Sequence, residues 1–427
     1  MKSYKSMSKE ELMALREELE KAYIDAKGKG LNLNMARGKP SKAQLDLSMG
    51  IFDVLDSKAN AITDDGIDIR NYGELTGIPE AKKLMADMIG APVENVYVFG
   101  NASLPIMYDT VARSYAFGVN GSTPWCKLDK VKFLCPVPGY DRHFAITEQF
   151  GIEMITIPMD DNGPDMELVK KYVETDKTVK GIWCVPKYAN PTGITYSDDV
   201  VKAFANLKPA AEDFRIFWDN AYAVHDLYDD ADTLLDILSE CKKSGREDMV
   251  YEFCSTSKIS FSGAGIAALA TSKNNLDWVK KTMTIQTIGY DKVNQYRHVL
   301  YFKDAEGIKE HMRKHAEMLR PKFEAVLKCF ETELEGLDIA TWTKPKGGYF
   351  ISFMAEEGCA KEIVAKCKEA GVTMTGAGAT FPYGKDPKDT NIRIAPSFPT
   401  PEEMAQTANL FVLCVKLVSI DKLLETK

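Results

Sequence analysis

Residues 250–265 read Val-Tyr-Glu-Phe-Cys-Ser-Thr-Ser-Lys-Ile-Ser-Phe-Ser-Gly-Ala-Gly, and this stretch decides the fold class. Its first five residues form an apolar, β-prone run that is typical of a buried strand. Small hydroxyl residues, then Lys258, then a loop rich in serine and glycine follow. In open α/β sheets, ligands bind beyond the carboxyl ends of the strands, and the pattern places Lys258 at such an end.

A lysine in that position has a chemistry that arginine lacks. It loses its proton when it is partly desolvated, and the free amine then attacks a carbonyl. The alternative is an ordinary surface lysine in a Ser/Gly loop, which the short motif by itself does not exclude. The rest of the chain favours the first interpretation.

Apolar strands alternate with helical patterns on both sides of this stretch, which is typical of a mostly parallel sheet covered by helices. The predicted strands lie at residues 95–99, 131–135, 152–157, 181–185, 214–218, 250–254 and 266–270. The pattern changes after residue 305. A long amphipathic helix at 308–330, which Pro321 should bend or split, precedes strands at 338–342, 348–353 and 391–394 and helices at 360–369 and 401–417.

These patterns predict an α/β protein with a mostly parallel central sheet in a large domain, residues 49–305. A smaller α+β domain follows, residues 306–427, and the N-terminal segment 1–48 is expected to pack with it. That segment holds a predicted helix at 7–26, with Ser8 and Glu11 spaced for an N-terminal capping box.

Length and composition exclude several classes of protein. A chain of 427 residues is too long for one small core, and its net charge of -8 without a basic stripe argues against a nucleic-acid partner. The nine cysteines and five histidines show no metal-like spacing, so we expect reduced thiols, no metal and a cytoplasmic location. No apolar run approaches the roughly 18 residues of a membrane span, and the charged N-terminus is unlike a signal peptide.

Polar side chains follow several of the predicted strands. Asp219 ends one apolar run, and a carboxylate there is costly to bury unless a cation pairs with it. Tyr222 and Asn190 stand at neighbouring strand ends, although packing and a simple turn are alternatives for these two. With Lys258, these groups suit a ligand that has an aldehyde, a phenolate oxygen and a protonated ring nitrogen. A glycine turn before a helix that begins near Ser103 suits a phosphate. That ligand is pyridoxal phosphate.

The sequence resembles the fold-type I pyridoxal-phosphate aminotransferases over nearly the whole chain. Five motifs in the family's order carry the resemblance: Asn190-Pro191-Thr192-Gly193, Asp219-Asn220-Ala221-Tyr222, Ser255-Thr256-Ser257-Lys258, Pro345-Lys346-Gly347-Gly348-Tyr349-Phe350 and Asn391-Ile392-Arg393. A closer likeness is to a bacterial subgroup of aspartate aminotransferases. It rests on the segments 35–40, 70–73, 138–144, 291–295 and 380–384.

The resemblance implies roles for individual residues. Lys258 is expected to be the Schiff-base lysine and the proton shuttle, and Asp219 is expected to pair with the pyridinium nitrogen. Tyr222 and Asn190 fall at contacts of the ring hydroxyl, and Tyr140 falls at the ring-stacking position. The phosphate is expected to lie against Ala102, Ser103, Ser255 and Ser257.

Substrate binding and assembly follow from the same resemblance. Arg393 falls where the family grips the substrate α-carboxylate, a two-pronged contact that lysine makes poorly, and Gly38 and Asn190 are expected beside it. Tyr72 resembles the tyrosine that reaches the phosphate of the neighbouring subunit. The resemblance therefore implies a homodimer with shared active sites.

One position departs from the family pattern. Most members follow the lysine with a glycine-flanked arginine that binds the phosphate, whereas this chain has Gly263-Ala264-Gly265. Either the serines, the helix amides and Tyr72 suffice, or a basic residue comes from elsewhere, for which Arg297 is a candidate. The sequence also does not decide which cation binds the side-chain carboxylate of the substrate. The candidates are Arg37, Lys39, Arg142 and Arg297.

We therefore predict an aminotransferase that moves the amino group of L-aspartate to 2-oxoglutarate, forming oxaloacetate and L-glutamate. The alternatives are an aromatic, alanine or broad-range aminotransferase, a β-lyase, a transcription regulator with an aminotransferase-like domain, and a catalytically dead scaffold. The regulator requires a basic N-terminal DNA-binding domain, which the first 90 residues do not resemble. The scaffold requires loss of the lysine or the aspartate, and both are present.

Overall fold

The computed structural model describes residues 2–427. Its helices are α1 (Lys9–Gly28), α2 (Lys42–Asp46), α3 (Pro79–Ile89), α4 (Ser103–Phe117), α5 (Asp141–Gln149), α6 (Met166–Thr175), α7 (Asp198–Ala205), α8 (Ile237–Lys243), α9 (Lys273–Gln286), α10 (Lys292–Phe302), α11 (Ala305–Leu334), α12 (Ala360–Glu369) and α13 (Pro401–Thr426). Its strands are β1 (Leu33–Asn34), β2 (Val96–Val98), β3 (Lys132–Val137), β4 (Glu153–Asp160), β5 (Gly163–Pro164), β6 (Val179–Cys184), β7 (Arg215–Asp219), β8 (Val250–Ser255), β9 (Ala267–Thr271), β10 (Ala340–Trp342), β11 (Ile351–Ala355), β12 (Val372–Thr373) and β13 (Asn391–Ile394).

The central sheet has eight strands in the order β2-β9-β8-β7-β6-β3-β4-β5. Strands β4, β3, β6, β7 and β8 are parallel to their neighbours in that run, whereas β9 is antiparallel to both β8 and β2. Every residue of β6, β7 and β9 is buried, as expected for strands covered on both faces. The predicted α/β fold with a mostly parallel sheet is confirmed.

A second, antiparallel sheet of three strands, β10-β11-β13, forms in the C-terminal part of the chain. The N-terminal segment joins this part, because β1 pairs with β12 and α1 packs against α13. Leu12 and Tyr23 of α1 belong to the same buried cluster as Ile351 and Ile392 of the small sheet. The domain boundaries near residues 48 and 305 stay a prediction.

Helix α11 links the two sheets. Ile308 and Met312 near its beginning belong to the core of the large sheet, whereas Phe323 and Phe330 belong to the core of the small one. Pro321 lies inside this helix without splitting it, because the packing of both halves outweighs the one lost backbone hydrogen bond. The alternative of two separate helices is therefore wrong.

Helix ends follow the predicted capping chemistry. The Ser8 side chain accepts from the Glu11 backbone, and the Glu11 carboxylate accepts from the Ser8 backbone, so the capping box at α1 is confirmed. Helix α13 runs nine residues beyond the predicted end at residue 417, along the face it shares with α1. No helix in residues 2–427 has both the length and the apolar character needed to cross a bilayer.

All five histidines are buried, none of them more than 5% exposed. Desolvation lowers the pKa of His298 and of His315 to about 4, and it also lowers the pKa of His225 and of His311. Burial disfavours the charged imidazolium, so these last four side chains are neutral in the folded protein at pH 7. Protonation must therefore oppose folding.

We expect the protein to lose stability in mild acid, before most carboxylates titrate. The histidine pKa values in the folded protein lie below the unfolded value of about 6.5. The neutral histidines therefore contribute their full share of the folding stability above about pH 6.5, and this share is lost as the pH falls toward about 4. Urea unfolding at about pH 7.5 and about pH 5 should show a loss on the order of a few kcal/mol. Substitution of His298 and His315 by Gln should flatten this dependence. Equal stability at the two pH values would contradict the conclusion that the buried histidines are neutral in the folded protein.

Candidate active site

One cavity of about 590 Å³ lies beyond the carboxyl ends of β6, β7 and β8. Because these strands are parallel neighbours, the residues that follow them meet at one edge of the sheet. The cavity brings together eleven of the predicted site residues, which are Gly38, Ala102, Ser103, Tyr140, Asn190, Asp219, Tyr222, Ser255, Ser257, Lys258 and Arg393.

Lys258 lies just past β8, half-buried at the cavity wall. Its Nζ atom is 5.1 Å from the centre of the Tyr222 ring. Desolvation lowers the pKa of Lys258, and the charge of Asp219 partly opposes this effect. A lysine whose pKa is lowered offers more of the neutral amine that attacks carbonyls.

Asp219 is the last residue of β7 and is 3% exposed. One carboxylate oxygen, Oδ2, lies 2.9 Å from Nε2 of His143, which donates to it. The other oxygen, Oδ1, is buried and has no hydrogen-bond partner within residues 2–427. A buried carboxylate oxygen left without a donor is costly, so this atom points to an N–H group that a ligand supplies.

His143 was not among the predicted site residues. It lies in the first turn of α5, and its ring stacks on Trp183 at 4.4 Å with an interplanar angle of 10°. Trp183 in turn donates from Nε1 to Thr147 Oγ1 at 2.8 Å. The sequence position of His143 could have identified it as a site residue. It lies three residues after Tyr140, on the helix that follows β3 at the same edge of the sheet. His143 orients the Asp219 carboxylate.

Aromatic and amide groups surround the space between Asp219 and Lys258. Tyr140 precedes α5, and its ring meets His143 edge-on at 4.9 Å. Tyr222 is fully buried, and desolvation raises the pKa of its hydroxyl well above the ordinary value. The hydroxyl therefore stays protonated and available as a hydrogen-bond donor at neutral pH.

The N-terminus of α4 opens into the same cavity. Ala102 takes the cap position without a side chain that could bond the free amides, and Ser103 begins the helix. Ser255 Oγ donates to Ser257 Oγ at 3.1 Å, and Ser257 Oγ donates to Asn101 O at 2.8 Å. Uncapped amides, the helix dipole and clustered hydroxyls form a seat for an anion such as phosphate.

Arg393 reaches the cavity from β13 of the small sheet. Its Nη1 atom donates to Asp141 Oδ1 at 3.1 Å and to Asn190 Oδ1 at 3.3 Å, and Nη2 donates to Thr375 Oγ1 at 3.3 Å. The guanidinium lies 4.9 Å from the centre of the Phe350 ring. Its Nε atom is buried without a partner in the described chain, so the group retains a donor for a ligand.

Three of the four candidate side-chain cations also line the cavity, namely Arg37, Lys39 and Arg142. Arg37 and Arg142 are exposed, and neither forms an ion pair with any residue between 2 and 427. Lys39 Nζ lies 4.2 Å from the centre of the Phe398 ring. These cations leave the cavity with an excess of positive charge.

Two predicted residues lie elsewhere in this chain. Tyr72 is 83% exposed and lines a separate surface depression next to residues 289–293. Arg297 does not line the cavity, because α10 directs it toward Phe52 and its Nη2 donates to Asn294 Oδ1 at 3.1 Å. Within one chain, neither residue touches the candidate site.

A family model described as aspartate amino-transferase matches residues 7–427. The chain belongs to this family. It is 43% identical to an aspartate aminotransferase of Corynebacterium glutamicum over 420 residues, which cover 98% of this chain and 97% of that relative. The crystal structure of an aspartate transaminase from C. glutamicum superposes with a TM-score of 0.96 at 43% identity and covers 99% of both chains.

More distant structures share the fold. An α-aminoadipate aminotransferase of Thermus thermophilus aligns with a TM-score of 0.72 at 19% identity, over 95% of this chain and 96% of that one. Fold-type I aminotransferases use pyridoxal phosphate. The cavity of this aminotransferase fits that cofactor on three counts, which are the unpartnered Asp219 Oδ1, the uncapped start of α4 and the desolvated Lys258.

We expect Gly38→Ala to impair this aminotransferase without unfolding it. An added Cβ would overlap the Phe350 ring, against which Arg393 rests. The displaced ring should shift the guanidinium and raise KM for the amino acid about tenfold or more, since small misplacements in active sites are costly. The matched control is Gly28→Ala at the end of α1, where an added Cβ meets nothing within 4 Å. Equal KM values for the two variants would contradict the expected steric effect.

Proposed function

We propose that this aminotransferase moves the amino group of L-aspartate to 2-oxoglutarate and forms oxaloacetate and L-glutamate. The observation that carries the proposal is the charge of the cavity, which is lined by Arg37, Lys39, Arg142, Lys258 and Arg393 but by only Asp141 and Asp219 as acids. Both substrates are dicarboxylates, and an excess of cations favours them over neutral amino acids. The name of the C. glutamicum relative supports the same substrate.

Pyridoxal phosphate, when bound, supplies an aldehyde and an electron-accepting ring. In our proposal, Asp219 Oδ1 would accept from the ring nitrogen and keep it protonated, and Tyr140 would support the ring. Tyr222 and Asn190 would hold the phenolic oxygen. The α4 amides and the hydroxyls of Ser103, Ser255 and Ser257 would hold the phosphate.

Lys258 has two tasks in the proposed reaction. Its desolvated amine holds the cofactor covalently between turnovers and carries a proton to and from the substrate Cα atom during turnover. Tyr222, whose ring centre lies 5.1 Å from Lys258 Nζ, limits the directions in which the amine can move. The half-buried position of Lys258 keeps most water away from that proton.

Arg393 binds the α-carboxylate of the substrate in this proposal. A guanidinium offers paired donors that match a carboxylate, and Asn190 and Thr375 already fix its orientation. The side-chain carboxylate of the substrate is bound by Arg37, Lys39 or Arg142 in this proposal, because these three residues line the cavity and Arg297 does not. The second carboxylate thereby distinguishes aspartate from alanine.

We expect the purified protein, loaded with pyridoxal phosphate, to show a visible absorbance band that L-aspartate converts to a near-ultraviolet band. Added 2-oxoglutarate should restore the visible band, because the second half of the reaction reverses the first. L-alanine at the same concentration is the control and should convert the band at least about tenfold more slowly. A band that aspartate leaves unchanged would refute the substrate. The absence of any band after cofactor addition would refute the role of Lys258.

We further propose a homodimer with shared active sites. Tyr72 is 83% exposed at the depression where residues 69–73 meet residues 289–293, and Ile285 and Ile288, just before the second segment in the chain, are 90% and 62% exposed. Exposed apolar side chains gathered on one face are typical of an interaction surface. In this assembly, Tyr72 would reach the phosphate of the other subunit.

Two variants with different defects, Lys258→Ala and Tyr72→Phe, should complement each other in a mixed dimer. Lys258→Ala removes the reacting amine, and Tyr72→Phe should weaken cofactor binding about tenfold by removing a hydrogen bond to a charged group. A dimer with one subunit of each kind has one site with both native residues and one site with neither. Titration of pyridoxal phosphate should therefore reveal one class of sites with native affinity. If the mixed dimers bind pyridoxal phosphate only with the weaker affinity of the Tyr72→Phe variant, the shared site is refuted.

We also propose a cytoplasmic location and the division into segments 1–48, 49–305 and 306–427. All nine cysteines are free thiols, which supports a reducing compartment. The pairing of β1 with β12 and the packing of α1 on α13 support the assignment of the N-terminal segment to the smaller domain.

A further inference from the structure

The main chain of Lys258 and Ile259 lies outside any helix or strand, directly after β8. Within residues 2–427, no backbone N–H donates to either of their carbonyl oxygens. Side chains donate to both carbonyls instead, and these side chains come from segments outside the eight-stranded sheet. The position of Lys258 therefore depends on those side chains.

Tyr349 holds the first carbonyl. Its hydroxyl donates to Lys258 O at 3.4 Å and accepts from Gln44 Nε2 at 3.2 Å. Both Tyr349 and Gln44 are 0% exposed, so water does not replace either bond. The Gln44 amide is itself fixed, because its Oε1 accepts from the Ser41 backbone at 3.0 Å.

A histidine pair holds the second carbonyl. His311 Nε2 donates to Ile259 O at 3.0 Å, and Ser48 Oγ donates to the same oxygen at 3.4 Å. His315 Nε2 lies 3.2 Å from His311 Nε2. His315 Nδ1 lies 3.2 Å from Gln44 Nε2. The two histidines stand four residues apart on α11, which places their rings on one face of the helix.

These contacts form a ring that runs from Lys258 O through Tyr349, Gln44, His315 and His311 to Ile259 O. Since Gln44 Nε2 can only donate, His315 accepts at Nδ1 and carries its proton on Nε2. Ile259 O can only accept, so His311 also carries its proton on Nε2. With both protons on Nε2, the 3.2 Å contact between the two histidines is not a hydrogen bond, and both N–H groups face the Ile259 carbonyl, whose oxygen can accept from two donors.

We infer that His311, His315, Gln44 and Tyr349 are positioning residues for Lys258. They act through its backbone and do not touch the reacting atoms. The inference rests on the proposed role of Lys258 in the reaction. The ring joins the lysine to α2, to α11 and to the segment before β11, so elements outside the strands of the large sheet set the direction from which the amine enters the cavity.

The test compares Tyr349→Phe and His311→Leu with the wild type, each loaded with pyridoxal phosphate. We expect kcat with L-aspartate to fall about tenfold in both variants while KM changes less than about twofold, because the substrate contacts stay and the amine is displaced. The pH at which the visible band titrates should also move. His311→Gln, which retains a donor near the Nε2 position, should recover most of the lost rate.

Tyr23→Phe is the matched control. Tyr23 is buried, and its hydroxyl donates to the Lys366 backbone carbonyl at 2.9 Å, between α1 and α12. Its loss removes the same kind of bond far from the lysine, so kcat and the titration of the band should stay at wild-type values. In the cofactor-free proteins, hydrogen–deuterium exchange at residues 256–262 should rise in Tyr349→Phe but not in Tyr23→Phe.

The inference fails if Tyr349→Phe and His311→Leu keep the wild-type rate and band titration, or if Tyr23→Phe changes them equally. If His311→Leu does not fold, Tyr349→Phe decides alone, since it removes one oxygen atom from a ring that otherwise stays packed. A wild-type protein that shows no band with pyridoxal phosphate would overturn the proposed function instead.

Discussion

Two opposite charges, Asp219 and Lys258, are placed at the same edge of a parallel sheet, and the rest of the site depends on that placement. Each would be costly to bury alone. Strands β7 and β8 are neighbours with parallel register, so their ends deliver both groups to one cavity. His143 satisfies one oxygen of Asp219, and the other oxygen is left for a ligand. The sheet thus prepares a pair of charges that becomes fully satisfied only when a cofactor binds.

The smaller sheet completes the site from the other side. Arg393 enters from β13 and bonds Asn190, which follows β6 of the large sheet, so the two sheets meet through one guanidinium. Below the lysine, Tyr349 and α11 hold backbone atoms that the large sheet leaves without partners. The edge that carries Lys258 is therefore built by the large sheet and aligned by Arg393 and Tyr349 of the smaller part and by the first half of α11.

Most of the fold was predictable because its signals are local. Seven apolar runs became strands of the central sheet, and the capping box of α1 followed from its residue types. The outcome at Pro321 was not predictable in the same way, since the continuity of α11 depends on what packs against each half. His143 and the ring of Gln44, His315, His311 and Tyr349 were missed for a related reason. Their partners are far away in sequence, and single buried histidines have no distinctive spacing.

The amino-acid sequence by itself determined the fold class and the family, and it predicted the reactive lysine and its acidic partner, because each depends on residue types at strand ends and in short motifs. Only the tertiary structure decided which groups share the cavity. It placed Arg37, Lys39 and Arg142 there and kept Arg297 and Tyr72 outside it within one chain. It also showed that the lysine backbone is held by buried side chains from three separate segments. The physical reason is that hydrogen bonds act over about 3 Å in space, whereas the chain separates these partners by tens to hundreds of residues.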